Sequence, residues 1–463
     1  RIGEDGVIAF VTNGSFIDVN VTDGLRKCLY DEFSFIYCFN LRGNQRTSGE
    51  LSKKEGGKIF GSGSRAPIAI TLFVKSSKQK SKCDIYYYDI GDYLTKQDKL
   101  KIVENYGTIK NINWEKIIPN KYGDWINQRN DKFLEFMAIG DKKNKSTNNI
   151  FSLYSLGVAT NRDIWVYNIS YSKLSNNINS MIGFYNGQVE LLRHFTEKDN
   201  FFDVASSDSQ KISWSDKLFS DSKRGKKYSF DENKIILTLF RPFLKSWLYY
   251  DKRLNERWYQ MHHIFPTQQH KNVVFSVTGI GSTKEFSVLI SKYIPDLEMI
   301  SKSQCFPMYW YESIEEYKKR KKKDNPMTSI FGSSQEENEN IIDGYIRHDA
   351  ITDWSLNEFQ TNYKDTNITK EDIFYYVYGI LHSPEYREKY QASLKKMLPR
   401  IPFAKDFWVF SKAGRDLAEL HLNYETVEPY PLEEKWGSKK DYTVKKMEFA
   451  KKGKQKDKTT IIY

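Results

Sequence analysis

The sequence has few cysteines, and their spacing does not match a metal site. Cys28, Cys38, Cys83 and Cys305 include no CxxC pair, which argues against a zinc site and against a disulfide framework. We therefore expect reduced thiols in a cytoplasmic protein. No apolar run approaches the roughly 18 residues that a membrane-spanning helix needs, and no segment resembles a signal peptide, so we expect no membrane partner.

Several catalytic motifs are also missing. The sequence contains no GxxxxGK[ST] loop for a nucleoside triphosphate and no HExxH. Gly61 and Gly63 lack the strand–turn–helix context of a dinucleotide fingerprint, so we interpret them as loop residues. His262 and His263 are adjacent and would point to opposite faces of a strand, and His270 completes no known metal spacing. We expect no metal site.

The composition is that of a folded, basic protein. Of 463 residues, 39% are hydrophobic and 15% aromatic, which excludes a disordered chain and predicts two to four domains. Lys and Arg number 71 against 59 Asp and Glu, a net charge of 71 − 59 = +12. Such a surplus favours a polyanionic partner, because neutralised phosphates release counterions. A generally Lys-rich composition is the alternative explanation.

Apolar runs near the start of the chain predict an α/β sheet. Gly6–Phe16 is predicted to be a buried strand that ends in an Asn-Gly-Ser turn, and Phe35–Leu41 and Pro67–Lys75 are predicted to be further strands. The long polar loop Arg42–Ala66 is more typical of a functional segment than of an idle connection. Arg1–Asp5 is a polar lead-in with no element before it, so we expect a fragment of a longer protein.

The later part of the chain alternates strand and helix patterns. Val273–Val277 is predicted to be a short strand, and Thr283–Lys292 has a helix-like pattern. Thr369–Leu381 is predicted to be an aromatic helix that begins with a capping pattern, because Thr369 precedes acidic residues at the first turn.

Long tracts of the sequence resemble type ISP restriction–modification enzymes, and they cover nearly the whole chain. The tracts include GVIAFVTNGSFID, FNLRGNQRTSGELSKKEGGKIFGSGSRAPIAITLFVK, RPFLKSWLYYD, VTGIGSTKEFSVLI and LPRIPFAKDFWVFSKAGRDLAELHLNYE. In that family a nuclease, a DNA translocase, an adenine-N6 methyltransferase and a target-recognition region follow one another in one chain. The resemblance implies an α/β fold over 1–110, the C-terminal half of a Rossmann-like methyltransferase sheet. It implies an α+β target-recognition region over 111–345, a helical C-terminal part over 346–433 and a Lys-rich tail over 434–463.

The resemblance also implies an activity, namely recognition of a specific duplex DNA site and adenine-N6 methylation with S-adenosylmethionine inside an ATP-dependent restriction enzyme. The family's cofactor-binding glycine loop and its Asn-Pro-Pro-Tyr motif lie upstream of the GVIAFVTN strand, and neither occurs in this sequence. We therefore assign no catalytic residue and expect the fragment alone to be inactive. S-adenosylmethionine should be bound mainly by upstream residues of the same polypeptide, with ATP and Mg²⁺ confined to missing upstream domains.

Four residues are candidates for a target-base pocket. Asn13, Ser15 and Phe16 stand at the carboxyl end of a predicted strand, where open α/β sheets bind ligands. Phe60 is the only aromatic residue of the polar loop, where related enzymes place an apolar residue against the flipped base. A turn with a core phenylalanine is the alternative interpretation.

Candidate DNA contacts fall into three groups. Arg46 and Arg65 could clamp phosphates, although a solvated loop is the alternative. A second group mixes bases with aromatic residues, a pattern that suits phosphate contacts but equally suits core packing: Arg241, Lys245, Arg253 and Arg257, among Trp247, Tyr249, Tyr250 and Trp258. The third group could read base edges: Gln268, Gln269, Lys284, Gln304 and Arg347. The less familiar stretches Lys142–Asn149 and Lys318–Asn340 could hold further contacts.

Two other functions remain open from the sequence. A stand-alone DNA specificity subunit would bind DNA without chemistry and would act with a separate catalytic subunit. An RNA modification enzyme would prefer RNA in a competition with duplex DNA.

Overall fold

The computed structural model describes residues 3–61, 63–78, 82–141, 148–196, 200–324, 341–437, 439–440, 443–444, 446–453 and 455–462. The chain divides into two units, Arg1–Leu422 and Asn423–Tyr463. Among the described residues, no helix has both the length and the apolar character needed to cross a bilayer.

The first unit contains α-helices and β-strands, and the second contains a β-hairpin. The helices are α1 (Asp23–Glu32), α2 (Gly49–Glu55), α3 (Lys96–Tyr106), α4 (Asp163–Val166), α5 (Tyr171–Leu191), α6 (Phe201–Val204), α7 (Asp216–Lys223), α8 (Met261–Ile264), α9 (Ile314–Asp324), α10 (Asp353–Tyr363), α11 (Lys370–His382), α12 (Pro384–Lys389), α13 (Gln391–Lys396) and α14 (Phe407–Leu422). The strands are β1 (Gly6–Asn13), β2 (Phe35–Arg42), β3 (Ile68–Lys75), β4 (Asp84–Asp89), β5 (Glu115–Ile117), β6 (Met137–Ala138), β7 (Ser155–Leu156), β8 (Tyr167–Asn168), β9 (Ile235–Arg241), β10 (Leu244–Tyr249), β11 (Val274–Val277), β12 (Val288–Ser291), β13 (Ile294–Pro295), β14 (Gln304–Pro307), β15 (Tyr309–Ser313), β16 (Ile341–Ile342), β17 (Tyr345–Asp349), β18 (Arg400–Ile401), β19 (Glu448–Lys452) and β20 (Gln455–Ile462).

The first sheet is mixed, with the strand order β1-β3-β2-β4-β5. β3 runs antiparallel to both β1 and β2, and β2 runs parallel to β4. The prediction that Val7–Phe10 and Ile68–Phe73 share one sheet is confirmed, because Ile8 pairs with Phe73 and Phe10 with Thr71. β1, β2 and β4 therefore point the same way, and their carboxyl ends meet at one edge of the sheet.

The prediction that β1 is buried is wrong. Val7, Phe10 and Val11 are 60%, 53% and 56% exposed, because β1 is an edge strand and no described segment covers these side chains. An apolar run shows that a strand is suited to burial, but it does not show that another layer covers it.

Residues 155–307 contain two four-stranded sheets, β13-β9-β10-β8 and β12-β11-β14-β7. The helix-like interpretation of Thr283–Lys292 is wrong, because Val288–Ser291 is a fully buried strand paired antiparallel with β11. Its continuous apolar run fits a strand enclosed on both faces, and pairing with β11 overrides the local helical pattern. The strand predicted at Val273–Val277 is confirmed as β11.

The C-terminal helices of the first unit pack tightly. The predicted capping pattern is confirmed at α11, where Thr369 and Asp372 form a reciprocal capping box. α11 and α14 touch through glycines, since a methyl group at Gly414 would lie 1.9 Å from the Tyr375 carbonyl oxygen and one at Gly379 would lie 2.4 Å from the Phe410 carbonyl oxygen. In the second unit, β19 and β20 form an antiparallel pair.

Replacing Gly414 by alanine should destabilise the first unit by about 1–3 kcal/mol, because the added methyl group must push the two helices apart. Gly183→Ala is the matched control: Gly183 lies within α5 and has nothing within 4 Å of an added methyl group, so that change should be neutral or stabilising. Thermal unfolding followed by near-UV circular dichroism would measure both. Equal midpoints for the two variants would contradict the close approach of α11 and α14.

Candidate nucleic-acid interface

The turn after β1 carries three of the predicted pocket residues. The exposed side chain of Asn13 accepts a hydrogen bond from the Ser15 backbone N–H at 3.0 Å and caps the short 3₁₀ turn that follows. Phe16 is half-buried and packs edge-to-face on Trp125, with ring centroids 6.0 Å apart. Asn13 and Ser15 therefore remain accessible at the sheet edge, whereas Phe16 supports the turn from beneath.

A buried arginine fixes this turn. Arg26 on α1 is fully buried, and its Nη1 donates to the carbonyl oxygens of Phe16 and Val19, both at 2.8 Å, while its Nε donates to the Gly123 carbonyl oxygen at 2.7 Å. Its Nη2 lies 3.7 Å from an Asp124 carboxylate oxygen. The position of the turn thus depends on Arg26 and on the segment that contains Asp124.

Two lysines from α13 reach the same turn. Lys395 Nζ donates to Asp18 Oδ2 at 3.1 Å, and the buried Lys396 Nζ lies 3.2 Å from Asp18 Oδ1 and 3.3 Å from Asp124 Oδ1. Burial alone would raise the pKa of Asp18, but the charges of Lys395 and Lys396 outweigh it and lower the pKa. The C-terminal helices are therefore tied to the candidate base-pocket turn by a charged cluster.

A polar cavity of about 810 Å³ lies beside the turn, at the carboxyl ends of the parallel strands. Asp89 at the end of β4 accepts hydrogen bonds from Arg42 Nε at 2.7 Å, from the Tyr87 hydroxyl at 3.0 Å and from the Asn40 amide at 3.3 Å. Burial and the neighbouring Asp89 carboxylate raise the pKa of Tyr87. Both carboxylate oxygens of Asp89 are already engaged by protein groups.

A buried lysine on α3, Lys99, holds the polar loop that follows β2. The buried Lys99 donates from Nζ to the carbonyl oxygens of Glu55 at 2.7 Å and of Gly57 at 2.9 Å. Burial lowers the pKa of Lys99. Above this anchor, Phe60 is 50% exposed and Arg46 and Arg65 are exposed as well.

The loop of the β11–β12 hairpin meets the polar loop. The Thr283 hydroxyl donates to the Arg46 carbonyl oxygen at 3.1 Å, and Lys284 Nζ donates to the Ser48 hydroxyl at 2.5 Å. Arg65 Nη2 donates to the carbonyl oxygen of Gln45, the residue before Arg46. The structure therefore places three predicted DNA contacts, Arg46, Arg65 and Lys284, on one exposed surface, which we term the loop patch.

Two predicted DNA contacts are instead held by internal ion pairs. Arg253 donates to both carboxylate oxygens of the buried Asp251, with the shortest distance 2.6 Å. Burial alone would raise the pKa of Asp251, but hydrogen bonds from Arg253 and Lys234 outweigh it and lower the pKa to about 2. Arg241 donates to the buried Asp296 at 2.7 Å. The carboxylates of Asp296 and Asp251 therefore largely neutralise the charges of Arg241 and Arg253, so these two arginines are poor candidates for phosphate contacts.

The remaining predicted contacts are dispersed. Lys245 is half-buried with its ammonium 5.0 Å from the centre of the Tyr293 ring, and Arg257 is exposed. Gln304 lies on β14, and its Oε1 is buried without a hydrogen-bond partner among the described residues. Gln268, Gln269 and Arg347 line a separate cleft. Residues 142–147 and 325–340, most of the two unfamiliar stretches, lie outside the described residues.

Sequence patterns do not single out every residue that these surfaces use. Lys271 and Lys292 line the same cleft as Gln268, and Lys395 reaches the base-pocket turn. Lys271 follows a polar Gln-Gln-His run, and this local pattern could have identified Lys271 as a candidate DNA contact. Lys292 and Lys395 carry no comparable local signal, because their surroundings are set by residues distant in the sequence. Within the described ranges, no cluster of three His, Cys, Asp or Glu side chains suits a metal ion.

Comparison with known proteins places these features in a family. The model of the Type ISP C-terminal specificity domain matches residues 149–463. A nuclease-deletion mutant of the Type ISP restriction–modification enzyme LlaGI, in complex with a DNA substrate mimic, is 39% identical with a TM-score of 0.80, and the match covers 100% of this chain and 39% of that one. The DrdV–DNA complex is 35% identical with a TM-score of 0.77, covering 92% and 39%.

A third similar structure is the ATP-dependent Type ISP restriction–modification enzyme LlaBIII bound to DNA. It is 33% identical with a TM-score of 0.79, and the match covers 100% of this chain and 28% of that one. The chain thus spans less than half the length of these three proteins. Among curated proteins, none matches.

Proposed function

Because the chain belongs to the Type ISP restriction–modification family, we propose that it recognises a specific site on duplex DNA. The observation that carries this proposal is the loop patch, where the polar loop of the first sheet and a hairpin loop of the recognition region meet. Exposed Arg and Lys side chains on one surface suit phosphate contacts, which position a protein on the duplex. The DNA complexes of LlaGI and LlaBIII support the same class of ligand.

We also propose that the first sheet is the end of an adenine-N6 methyltransferase domain, the C-terminal half of a Rossmann-like sheet in a longer polypeptide. The exposed apolar residues of β1 support this proposal, because Val7 and Val11 on one face of the strand and Phe10 on the other are suited to cover by upstream domains. An extruded adenine would meet the Asn13 amide at the sheet edge and the exposed Phe60 ring of the polar loop. Phe16 would hold the turn in place through Trp125.

S-adenosylmethionine would supply the methyl group in that reaction, and the described residues do not offer it a complete site. The strand-end carboxylate of Asp89 is occupied by Arg42, Asn40 and Tyr87. No glycine-rich loop follows a strand in the manner of a nucleotide-binding fingerprint. Upstream residues would have to hold the methyl donor, and upstream domains would have to hold the ATP and Mg²⁺ used for translocation. We therefore assign no methyl transfer to this chain alone.

Salt titration of DNA binding tests the proposal. The chain should bind a fluorescent DNA duplex in an anisotropy assay, and the affinity should fall steeply with salt, with a log–log slope of at least about 2.7 if three phosphates meet the loop patch. A flat salt response would contradict it. Stronger competition by an RNA duplex than by the same DNA sequence would instead favour an RNA modification enzyme.

A further inference from the structure

A second cationic surface lies away from the loop patch. It is a cleft of about 1270 Å³ between the first residues of β9, the end of β10 and the open end of the β11–β12 hairpin. Four basic side chains line it: Lys234, Lys271, Lys292 and Arg347. No Asp or Glu is among the described residues that line the cleft, so its wall is positively charged.

Three of these cations are available to a ligand. Lys234 pairs with the buried Asp251 at 2.6 Å, so the Asp251 carboxylate largely neutralises the Lys234 charge. Lys271 and Lys292 are exposed and form no ion pair with any described residue, and the Arg347 guanidinium lies 4.5 Å from the centre of the Tyr309 ring. Stacking on Tyr309 orients Arg347 without neutralising it, so the cleft attracts an anion.

Aromatic rings stand beside these charges. Trp247 and Tyr293 line the cleft and are half-buried. Deeper in the wall, Tyr250 stacks on Trp258 with ring centroids 4.0 Å apart, and the buried Tyr250 hydroxyl has no hydrogen-bond partner among the described residues. Basic side chains interleaved with partly exposed rings are typical of grooves that hold unpaired nucleotides, since phosphates meet the cations and bases stack on the rings.

The cleft and the loop patch lie at opposite ends of one hairpin. Lys284 belongs to the closed end of the β11–β12 hairpin, whereas Val273 and Lys292 at its open end line the cleft. All four residues of each strand are buried, so the hairpin crosses the core and separates the two surfaces by at least the roughly 10 Å length of a strand. Bases that stay paired and stacked in a duplex do not offer their faces to Trp247, so stacking there requires unpaired bases.

We propose that this cleft binds unpaired nucleotides of a nucleic-acid strand. Lys271, Lys292 and Arg347 would contact consecutive phosphates, and Trp247 and Tyr293 would stack against bases. The proposal concerns a site other than the loop patch and does not depend on duplex recognition there.

Binding of a labelled hexathymidylate to the 463-residue chain tests the proposal by fluorescence anisotropy. The double variant Lys271→Gln/Lys292→Gln should bind more weakly, and its log–log salt slope should be lower by about 1.4, the value for two phosphates of a single strand. Trp247→Leu should weaken binding about 5- to 150-fold through lost stacking. The matched control Lys101→Gln/Lys110→Gln removes two exposed charges outside the cleft and should change neither quantity.

Three further measurements separate binding in the cleft from binding at the loop patch, and binding of a strand from binding of phosphate or of a single nucleotide. A triple variant of the loop patch, Arg46→Gln/Arg65→Gln/Lys284→Gln, should leave hexathymidylate binding unchanged, so the failure of either proposal can be recognised separately. Equal affinity for an abasic hexamer would overturn stacking on Trp247. Equal affinity for thymidine monophosphate would replace the strand by a free nucleotide and overturn the proposal, as would hexathymidylate binding that the cleft variants do not alter.

Discussion

Replacing Arg46, Arg65 and Lys284 together by glutamine should weaken duplex DNA binding and reduce its dependence on salt. If each side chain neutralises one phosphate, the log–log salt slope should fall by about 2.7. Between 50 and 200 mM salt, the original chain should then lose about 40-fold more affinity than the triple variant. Anisotropy titrations over that salt range measure both quantities.

The matched control for that result removes the same charge elsewhere. Lys101, Lys110 and Lys173 are exposed and lie outside the loop patch, so their triple glutamine variant should retain the steep salt dependence. Arg253→Gln offers a second comparison, because Arg253 is paired with Asp251. This substitution should lower the midpoint of thermal unfolding and leave the DNA affinity of the folded protein nearly unchanged. A salt slope that falls equally in the patch variant and the lysine control would mean that net charge, and not the loop patch, drives binding.

The second large effect is expected at Lys396. This side chain is 2% exposed, lies between Asp18 and Asp124 and donates to the Asn127 carbonyl oxygen at 2.7 Å. Lys396→Met would leave two carboxylates short of a buried partner, and breaking such a pair costs about 3–5 kcal/mol. Chemical unfolding monitored by circular dichroism should show this loss of stability at neutral pH.

Lys395→Met is the control for that substitution. Lys395 contacts the same Asp18 but is half-exposed, so its removal should cost no more than about 1 kcal/mol. Equal losses for the two variants would contradict the distinction between the buried and the exposed lysine.

The cost of Lys396→Met should also depend on pH. Burial alone would raise the pKa of Asp124, but hydrogen bonds from Arg129 and Asn120 and the charge of Lys396 outweigh it and hold the pKa well below its usual range. The stabilisation is therefore fully present above the unfolded-state value of about 3.9 and is lost as the pH falls toward the folded-state pKa. The stability difference between the original chain and Lys396→Met should narrow below about pH 4.

Much of the fold follows from the sequence where local pattern and final environment agree. The strands GVIAFVTN and IAITLFVK and the capped helix at Thr369 are confirmed because apolar runs and capping residues act over short distances. That the two strands share a sheet is expected from the family resemblance and not from local pattern. The interpretation failed where distant segments decide. Val288–Ser291 is a strand because β11 pairs with it, and β1 is exposed because no described segment covers it.

The candidate site divides in the same way. The polar loop and the hairpin loop contained Arg46, Arg65 and Lys284, but the sequence gives no indication that residues more than 200 positions apart meet. From the sequence, Arg241 is a candidate DNA contact, but in the structure it donates a hydrogen bond to Asp296, which lies 55 positions away. The Arg253 pair was within reach of sequence reasoning, because Asp251 is only two residues away and an arginine so close to a carboxylate is a candidate for an internal ion pair.

Hydrogen–deuterium exchange with and without a DNA duplex tests the central claim most directly. The account predicts slower exchange in residues 43–61, 63–66 and 279–286, the segments that form the loop patch, with little change at residues 265–273 and 292–294 of the cleft. Protection confined to the cleft segments, with the loop patch unaffected, would contradict it.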